Sequence, residues 1–389
     1  MTKRNNLIVF ILTLGVFAII NTEMGVVGIL PLIADNFHVS VSQAGLLVSL
    51  FALAVAIAGP TMPLLFSGIN RRAVMLLVLG IFFVGNIISA FATNFIVILI
   101  ARVIPAFFHP IYCSLAFTAA SASVSKEDAP KAVAKVLMGV SAGMVLGVPV
   151  ASFIASVTSL EMAMLFFAIM NGIAFIATLI FVPSMPVNER LSYGKQLSVL
   201  KKPITWISIA TVIFLNGAVF GVYSFLAEYL KNVTNIQDKT ISLILLIYGI
   251  ANIIGNIIAG RLLTKNPVKF VVSFHFALGV VYIILFLMGQ FTVPMALITL
   301  AWGILAGAGG NINQYWIMSS APEAPEFANG LFLTSANLGT TFGTSVCGLL
   351  ISGIGTKYIV LGGMIFLILS FVTVLLRNYM NNSTEELSR

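Results

Sequence analysis

The sequence predicts an all-α integral membrane protein: twelve transmembrane helices in two six-helix pseudo-repeat bundles. Three observations carry this. First, 59% of the 389 residues are apolar and only 8% charged, with a mean hydropathy of +1.08. A soluble domain carries about 25% charged residues, so this composition cannot keep a surface hydrated. Second, a span needs about 20 apolar residues, and the length accommodates about twelve spans with short loops. Third, the 20 Lys and Arg residues lie between apolar runs, mostly in alternate loops. That pattern sets topology and argues against a nucleic-acid partner, despite the net charge of +8.

Taken in chain order, the first span covers 7–32. It follows Lys3 and Arg4 as a signal peptide would, but no small-residue cleavage site interrupts it, so it is expected to stay as a span. Spans follow at 44–66, 73–91, 95–121, 132–156 and 162–182, each closed by charges or turn residues. The polar stretch from Pro183 to Pro203, with Glu189, Arg190, Lys195, Lys201 and Lys202, is the longest hydrophilic segment. The second six are 204–230, 241–263, 268–289, 293–318, 328–354 and 358–376. The expected organisation is therefore 1–182 as an N-terminal six-helix bundle, 183–203 as a cytoplasmic linker, and 204–389 as a C-terminal bundle with a short cytoplasmic tail. Aligning Phe51 with Tyr248 places Leu65 on Leu262 and Arg72 on Lys269, a weak internal repeat that favours two parallel halves packed about an axis along the membrane normal.

With the N-terminus inside, about 16 of the 20 basic residues fall on the cytoplasmic side, from Lys3 and Arg4 to Arg377 and Arg389. Lys231, Lys239 and Lys357 fall outside, and Arg102 lies within a span. Both termini are expected in the cytoplasm of a cell membrane, in a bacterium the inner membrane. Cys113 and Cys347 sit in apolar runs with no metal or disulfide spacing, so no metal is expected. No Walker-type phosphate loop is present, which leaves ATP drive unsupported.

The string Thr22-Glu23-Met24-Gly25-Val26-Val27-Gly28-Ile29-Leu30-Pro31, its continuation Ser42-Gln43-Ala44-Gly45-Leu46-Leu47, Arg102 in the fourth span and Gly143-Met144-Val145-Leu146-Gly147-Val148-Pro149 in the fifth resemble the major facilitator superfamily. The resemblance is closest to its twelve-span drug:proton antiporters, in the branch of sugar, arabinose-related and purine efflux transporters. It covers the whole chain and implies the major facilitator fold. One loop departs from the family pattern: Ser67 stands where the family has an Asp and Asn70 where it has a glycine, while the basic pair Arg71 and Arg72 survives. A charge relay through that Asp is therefore in doubt, and the loop keeps a role in topology and closure of the cytoplasmic side.

Glu23 lies deep in the first span among Ile19, Ile20, Met24 and Val26, where a charge costs roughly 2.5–3.5 kcal/mol. A carboxyl that alternates between dry and wet surroundings loads and releases a proton; the bland alternative is a permanently protonated acid bonded between helices. Arg102 keeps its charge at any reachable pH. It has three roles open to it: binding an anionic substrate group, pairing with Glu23, or bracing backbone carbonyls. His109, seven residues on between Pro105 and Pro110, either titrates or is simply hydrogen-bonded.

Gly139, Gly143 and Gly147 form two Gly-x-x-x-Gly spacings ending at Pro149, a close-packing face for a neighbouring helix. By resemblance they match the family's antiporter motif and act in packing and gating. The Gly-x-Ser-x-Gly around Ser141 lacks the strand that a nucleophile elbow requires. In the second half, Asn216, Tyr223, Asn311, Asn313 and Gln314 fall on spans that line the cavity in the family, which makes them substrate-contact candidates; interhelical amide bonding is the alternative. Gly303, Gly307, Gly309 and Gly310 are expected to loosen the tenth span.

The resulting expectation is a monomeric, proton-coupled secondary efflux antiporter for a small organic molecule such as a drug, sugar or purine compound. It would work by alternating access in a lipid bilayer, with protons as the coupling ion and no cofactor. Uptake symport or facilitated diffusion on the same scaffold is the main rival. A membrane-embedded enzyme using Ser141, His109 and Glu23 is a weaker one, so no enzymatic activity is expected.

Overall fold

The computed structural model describes residues 3–125, 128–187 and 194–387. Lys126, Glu189, Arg190 and Arg389, used above to read loops and orientation, lie outside them. Every regular element among the described residues is helical. We number the twelve long helices α1 (Lys3–Phe37), α2 (Val41–Leu65), α3 (Arg71–Ala90), α4 (Phe95–Ala122), α5 (Ala129–Val157), α6 (Leu160–Phe181), α7 (Pro203–Asn232), α8 (Asp238–Lys265), α9 (Pro267–Met288), α10 (Thr292–Met318), α11 (Pro325–Ile354) and α12 (Ile359–Leu387). They coincide with the twelve expected spans to within a few residues, except that α12 runs further.

Among the described residues eleven of these helices are both long and apolar enough to cross a membrane, and α11 is the exception. At 30 residues it has the length, but Thr334, Ser335, Asn337, Thr340, Thr341, Thr344 and Ser345 dilute its hydropathy. Hydroxyls fit such a helix because they bond back to its own carbonyls: Ser335 Oγ donates to Leu331 O at 2.6 Å and Thr341 Oγ1 to Asn337 O at 2.9 Å. Large apolar side chains such as Phe10, Phe153, Ile176, Phe276 and Leu349 are exposed, as lipid contact requires.

Three helices change course, each for a local reason. α1 tightens to a 3-10 turn at Val26–Ile29 and resumes at Leu30, with Pro31 in its first turn where a missing N–H costs nothing. α4 breaks after Ala106: Pro105 lies just before the break and Pro110 opens the segment His109–Ala122. α7 breaks between Tyr223 and Leu226. By contrast α10 stays helical through all four of its glycines. They thin the helix instead of breaking it: a side chain at Gly307 would strike the Asn252 backbone, and one at Gly303 the Tyr248 backbone. The expected loosening of α10 is thus replaced by close packing against α8.

The chain packs as two compact units, 1–39 with 57–192 and 40–56 with 193–389. In the first unit, α1 lies along α5. A Cβ at Gly139 would come within 2.5 Å of Thr13 O, one at Gly143 within 2.8 Å of Ile20 Cβ, and one at Gly147 within 3.4 Å of Met24 Cβ. The second unit uses the same device where α7 meets α11. Gly339 packs on Ile213 and Asn216, and a Cβ at Gly343 would lie 2.8 Å from Gly217 Cα. This seam was legible as Gly217-x-x-x-Gly221 and Gly339-x-x-x-Gly343. In the same unit α2 contributes Ser42 to Ala56 against α11, with Thr341 Oγ1 donating to Ser49 O at 3.2 Å and Thr334 Oγ1 to Ala56 O at 3.3 Å.

The glycine faces make a direct prediction. Gly143→Val forces α1 off α5, and overpacking of this kind costs about 1–3 kcal/mol. The variant should lose its folded, monodisperse fraction at a lower temperature in detergent size-exclusion assays. Gly353→Ala, where nothing lies within 4 Å of the added carbon, should match the parent.

Candidate functional site

The candidate site in the first unit is built on the end of the straight part of α1. Glu23 sits two residues before Gly25, where the α-helix gives way to the 3-10 turn. The break in α4 makes His109 the first residue of a new helical segment, and its ring meets Glu23 with Nε2 to Oε2 at 3.1 Å. Both side chains are nearly enclosed, 8% exposed for His109 and 13% for Glu23. Cys113, one turn further along, places its Sγ 3.9 Å from the same nitrogen.

Arg102, on the preceding segment of α4, is 2% exposed. Its Nη2 donates to Thr22 O at 3.1 Å, and it also interacts electrostatically with Glu23. Of the roles left open for it, the backbone brace is therefore present, at the residue directly before the acid. The seven-residue spacing of Arg102 and His109 across the proline break thus delivers them to the adjacent residues Thr22 and Glu23.

The sequence reading missed what surrounds Thr22. Asn171 of α6 donates from Nδ2 to Thr22 Oγ1 at 2.9 Å and to Phe167 O at 2.9 Å, and Asn86 of α3 donates to Thr22 Oγ1 at 3.2 Å. Thr22 in turn donates to Ala18 O at 3.0 Å. All three side chains are buried. Four helices are thereby tied to α1 beside Glu23, counting α5 through its glycines. The available signal was an isolated Asn at membrane depth in α3 and in α6, the same cue used for the second half.

Chemically, Glu23 and His109 form one unit that holds zero, one or two exchangeable protons. With one proton shared, it is neutral or an internal ion pair; with two it is cationic.

In the second unit the five candidates divide. Asn216 donates from Nδ2 to Ala336 O at 2.6 Å and to Thr340 Oγ1 at 2.9 Å, while its Oδ1 faces Asn313 Nδ2 at 3.5 Å. Both residues are buried, so these two amides act as interhelical ties. Tyr223, at the break in α7, stacks on Tyr248 with ring centroids 4.5 Å apart and meets Trp302 edge-on at 6.4 Å; Tyr282 completes the cluster against Trp302. Asn311 is half-buried and donates to Asn256 Oδ1 at 2.8 Å, while Gln314 is exposed.

Two further charged residues are buried. Glu228 is 5% exposed in the short segment after the α7 break and accepts from Asn232 Nδ2 at 2.5 Å. Arg377, counted as a loop charge, is 4% exposed. It lies over the Trp316 ring at 4.2 Å and donates to Trp316 O at 2.9 Å and Ser319 Oγ at 2.8 Å, pinning α12 to the end of α10.

A sequence profile of the Major Facilitator Superfamily matches residues 12–326 and, in a second overlapping match, 209–388. The chain is 27% identical over 355 residues to "Inner membrane transport protein YdhP" of Escherichia coli K12, covering 91% of each chain. It is 30% identical over 349 residues to the MFS-type transporter YtbD of Bacillus subtilis, covering 88% of each. A "Probable sugar efflux transporter" of Helicobacter pylori is 26% identical over 374 residues, covering 94% of this chain and 95% of that one. Among solved structures, the nucleoside transporter NupG superposes with a TM-score of 0.76 at 16% identity over 97% of this chain and 100% of that one. A bacterial homologue of the lysosomal transporter Spinster gives 0.74 at 15%, over 97% of both. These likenesses establish the fold.

Proposed function

We propose, for a chain that belongs to the Major Facilitator Superfamily of membrane transporters, that it is a proton-coupled efflux antiporter exporting a small polar organic molecule, with sugars the leading class. The observation that carries this is the Glu23–His109 pair at 3.1 Å, enclosed in the first unit beside a braced arginine. An exchangeable proton held at membrane depth gives a coupling ion a place to load. The 94–95% mutual coverage with a "Probable sugar efflux transporter" supports the export reading, and the match to an inner membrane transport protein supports the location. The membrane is then a bacterial inner membrane and both termini are cytoplasmic.

In this mechanism a proton from outside adds to the Glu23–His109 pair, neutralising it or raising its charge. Opening to the cytoplasm hydrates the pair, which releases the proton as substrate is taken up. Each proton entering across 100 mV contributes about 2.3 kcal/mol before any pH gradient is added. Asn311 and Gln314 are the partly accessible amides able to bond hydroxyl groups of the substrate. Asn216 and Asn313 hold the helices behind them.

The test has two steps. Growth of an overexpressing strain on a panel of sugars, drugs and purine analogues identifies the substrate, and inside-out vesicles then receive it with an imposed pH gradient, acid inside. Gradient-dependent accumulation, with proton efflux seen by a pH-sensitive dye, is the expected result. Accumulation by whole cells with none in these vesicles would instead establish uptake.

A further inference from the structure

Away from the Glu23 cluster, the first unit contains a small open pocket of about 60 Å³ between the end of α2, the start of α3, α4 and the segment after α6. Its polar lining is Ser67, Arg71, Ser114 and Thr118, and its apolar wall includes Phe66 and Leu115. Among the described residues none that lines the pocket is acidic, and none of the ion pairs involves Arg71.

The loop geometry separates the two arginines. Asn70 caps α3 by accepting from Arg72 N at 3.1 Å and ties the loop to the far end of α6 through Ser184 Oγ at 2.7 Å. Arg72 spends its Nη2 on Leu179 O at 2.5 Å. Arg71 is fixed by its backbone, N to Met185 O at 3.0 Å, which leaves its guanidinium to line the pocket. The result is a half-buried, permanently charged fork that shares the pocket lining with the Ser114 hydroxyl, while Ser67 Oγ donates to Leu64 O at 2.7 Å and Thr118 Oγ1 to Ser114 O at 3.1 Å. Guanidinium matches an oxygen pair of a phosphate, and the Ser114 hydroxyl is placed to donate to a remaining oxygen. Basic pockets between spans at a membrane boundary suit the same chemistry.

We propose that this pocket binds a phosphate-class anion, with Arg71 as the charged anchor and the Ser114 hydroxyl as its neutral donor. The anion is either a lipid headgroup phosphate or a free phosphate. The proposal does not rest on the Glu23 cluster, with which the pocket shares no residue.

The experiment uses the full chain purified in a maltoside detergent and freed of bound lipid. One arm measures binding of radiolabelled inorganic phosphate by equilibrium dialysis. The other counts phosphatidylglycerol molecules retained by native mass spectrometry after reconstitution, with phosphatidylcholine for comparison. Saturable binding is expected in at least one arm: phosphate alone identifies a soluble anion, phosphatidylglycerol alone a lipid headgroup. Arg71→Gln should weaken it at least about tenfold, the worth of one charge-assisted contact. Ser67→Asp, which adds a carboxylate to the pocket, should weaken it as much, whereas the neutral Ser67→Asn and the remote Arg261→Gln should not. Absence of binding in both arms, wild-type binding by Arg71→Gln, or equal loss in Ser67→Asn and Ser67→Asp would overturn the proposal.

Discussion

Glu23→Gln is expected to abolish transport driven by a pH gradient while leaving substrate exchange intact. Glutamine keeps the size of the side chain and still accepts a hydrogen bond from His109, 3.1 Å away in the parent, but it cannot gain or lose a proton. The pH-driven initial rate in inside-out vesicles should fall by about 100-fold, equivalent to about 2.7 kcal/mol in the coupled step. Counterflow, in which labelled and unlabelled substrate exchange with no gradient, should stay within about twofold. The contrast separates a coupling defect from misfolding, since an unfolded variant fails both assays. Coupled efflux at the parental rate in Glu23→Gln would remove the pair from the mechanism.

A disulfide between positions 42 and 348 should stop the carrier. Ser42 belongs to the first six spans of the sequence and Gly348 to the second six, yet they pack together within the second compact unit. A Cβ built at Gly348 lies 3.7 Å from Ser42 Cα and 3.0 Å from its Oγ, close enough for cysteines to bridge. If the six-helix halves rock against each other in every cycle, this contact must open. The design is Ser42→Cys with Gly348→Cys in a background lacking Cys113 and Cys347. Oxidation should reduce transport to the level of empty vesicles, reduction should restore it, and neither single cysteine should respond. Full transport by the cross-linked protein would mean that 40–56 moves with the second half, and rocking of six helices against six would have to be abandoned.

Much of this was legible in the chain itself. Hydropathy placed the helices because each segment must satisfy its own backbone in lipid, whatever its neighbours do. Depth-sorting the charges singled out Glu23 and Arg102 for a related reason: an ionisable group there needs a partner, whichever helix supplies it. Glycine spacing announced the α5 face before α1 was known to cover it, since close approach depends on the missing side chain alone.

Other features depended on partners distant in sequence. Asn171 is 149 residues from the Thr22 hydroxyl it bonds, and no local pattern distinguishes it from Asn313, whose amide faces Asn216. Asn216 and Asn313, both expected as substrate contacts, are buried and bonded between helices. Gln314, next to Asn313, remains exposed because a helix turns by about 100° per residue. Glycines in α10 carry the composition of a hinge, yet α8 lies so close that they make a continuous helix fit. Arg377 follows an apolar span exactly as a loop cation does, and only the nearby end of α10, with the Trp316 ring, buries it.

The scarcity of charge, the twelve apolar segments and the membrane-depth acid in the first of them were determined by the sequence alone, because the bilayer tests every segment separately. Which histidine that acid meets, which amides remain accessible and which arginine lines a pocket were decided by the tertiary structure. Those outcomes turn on which faces of distant helices come together, and the pairing energy of one face exists only once its partner has arrived.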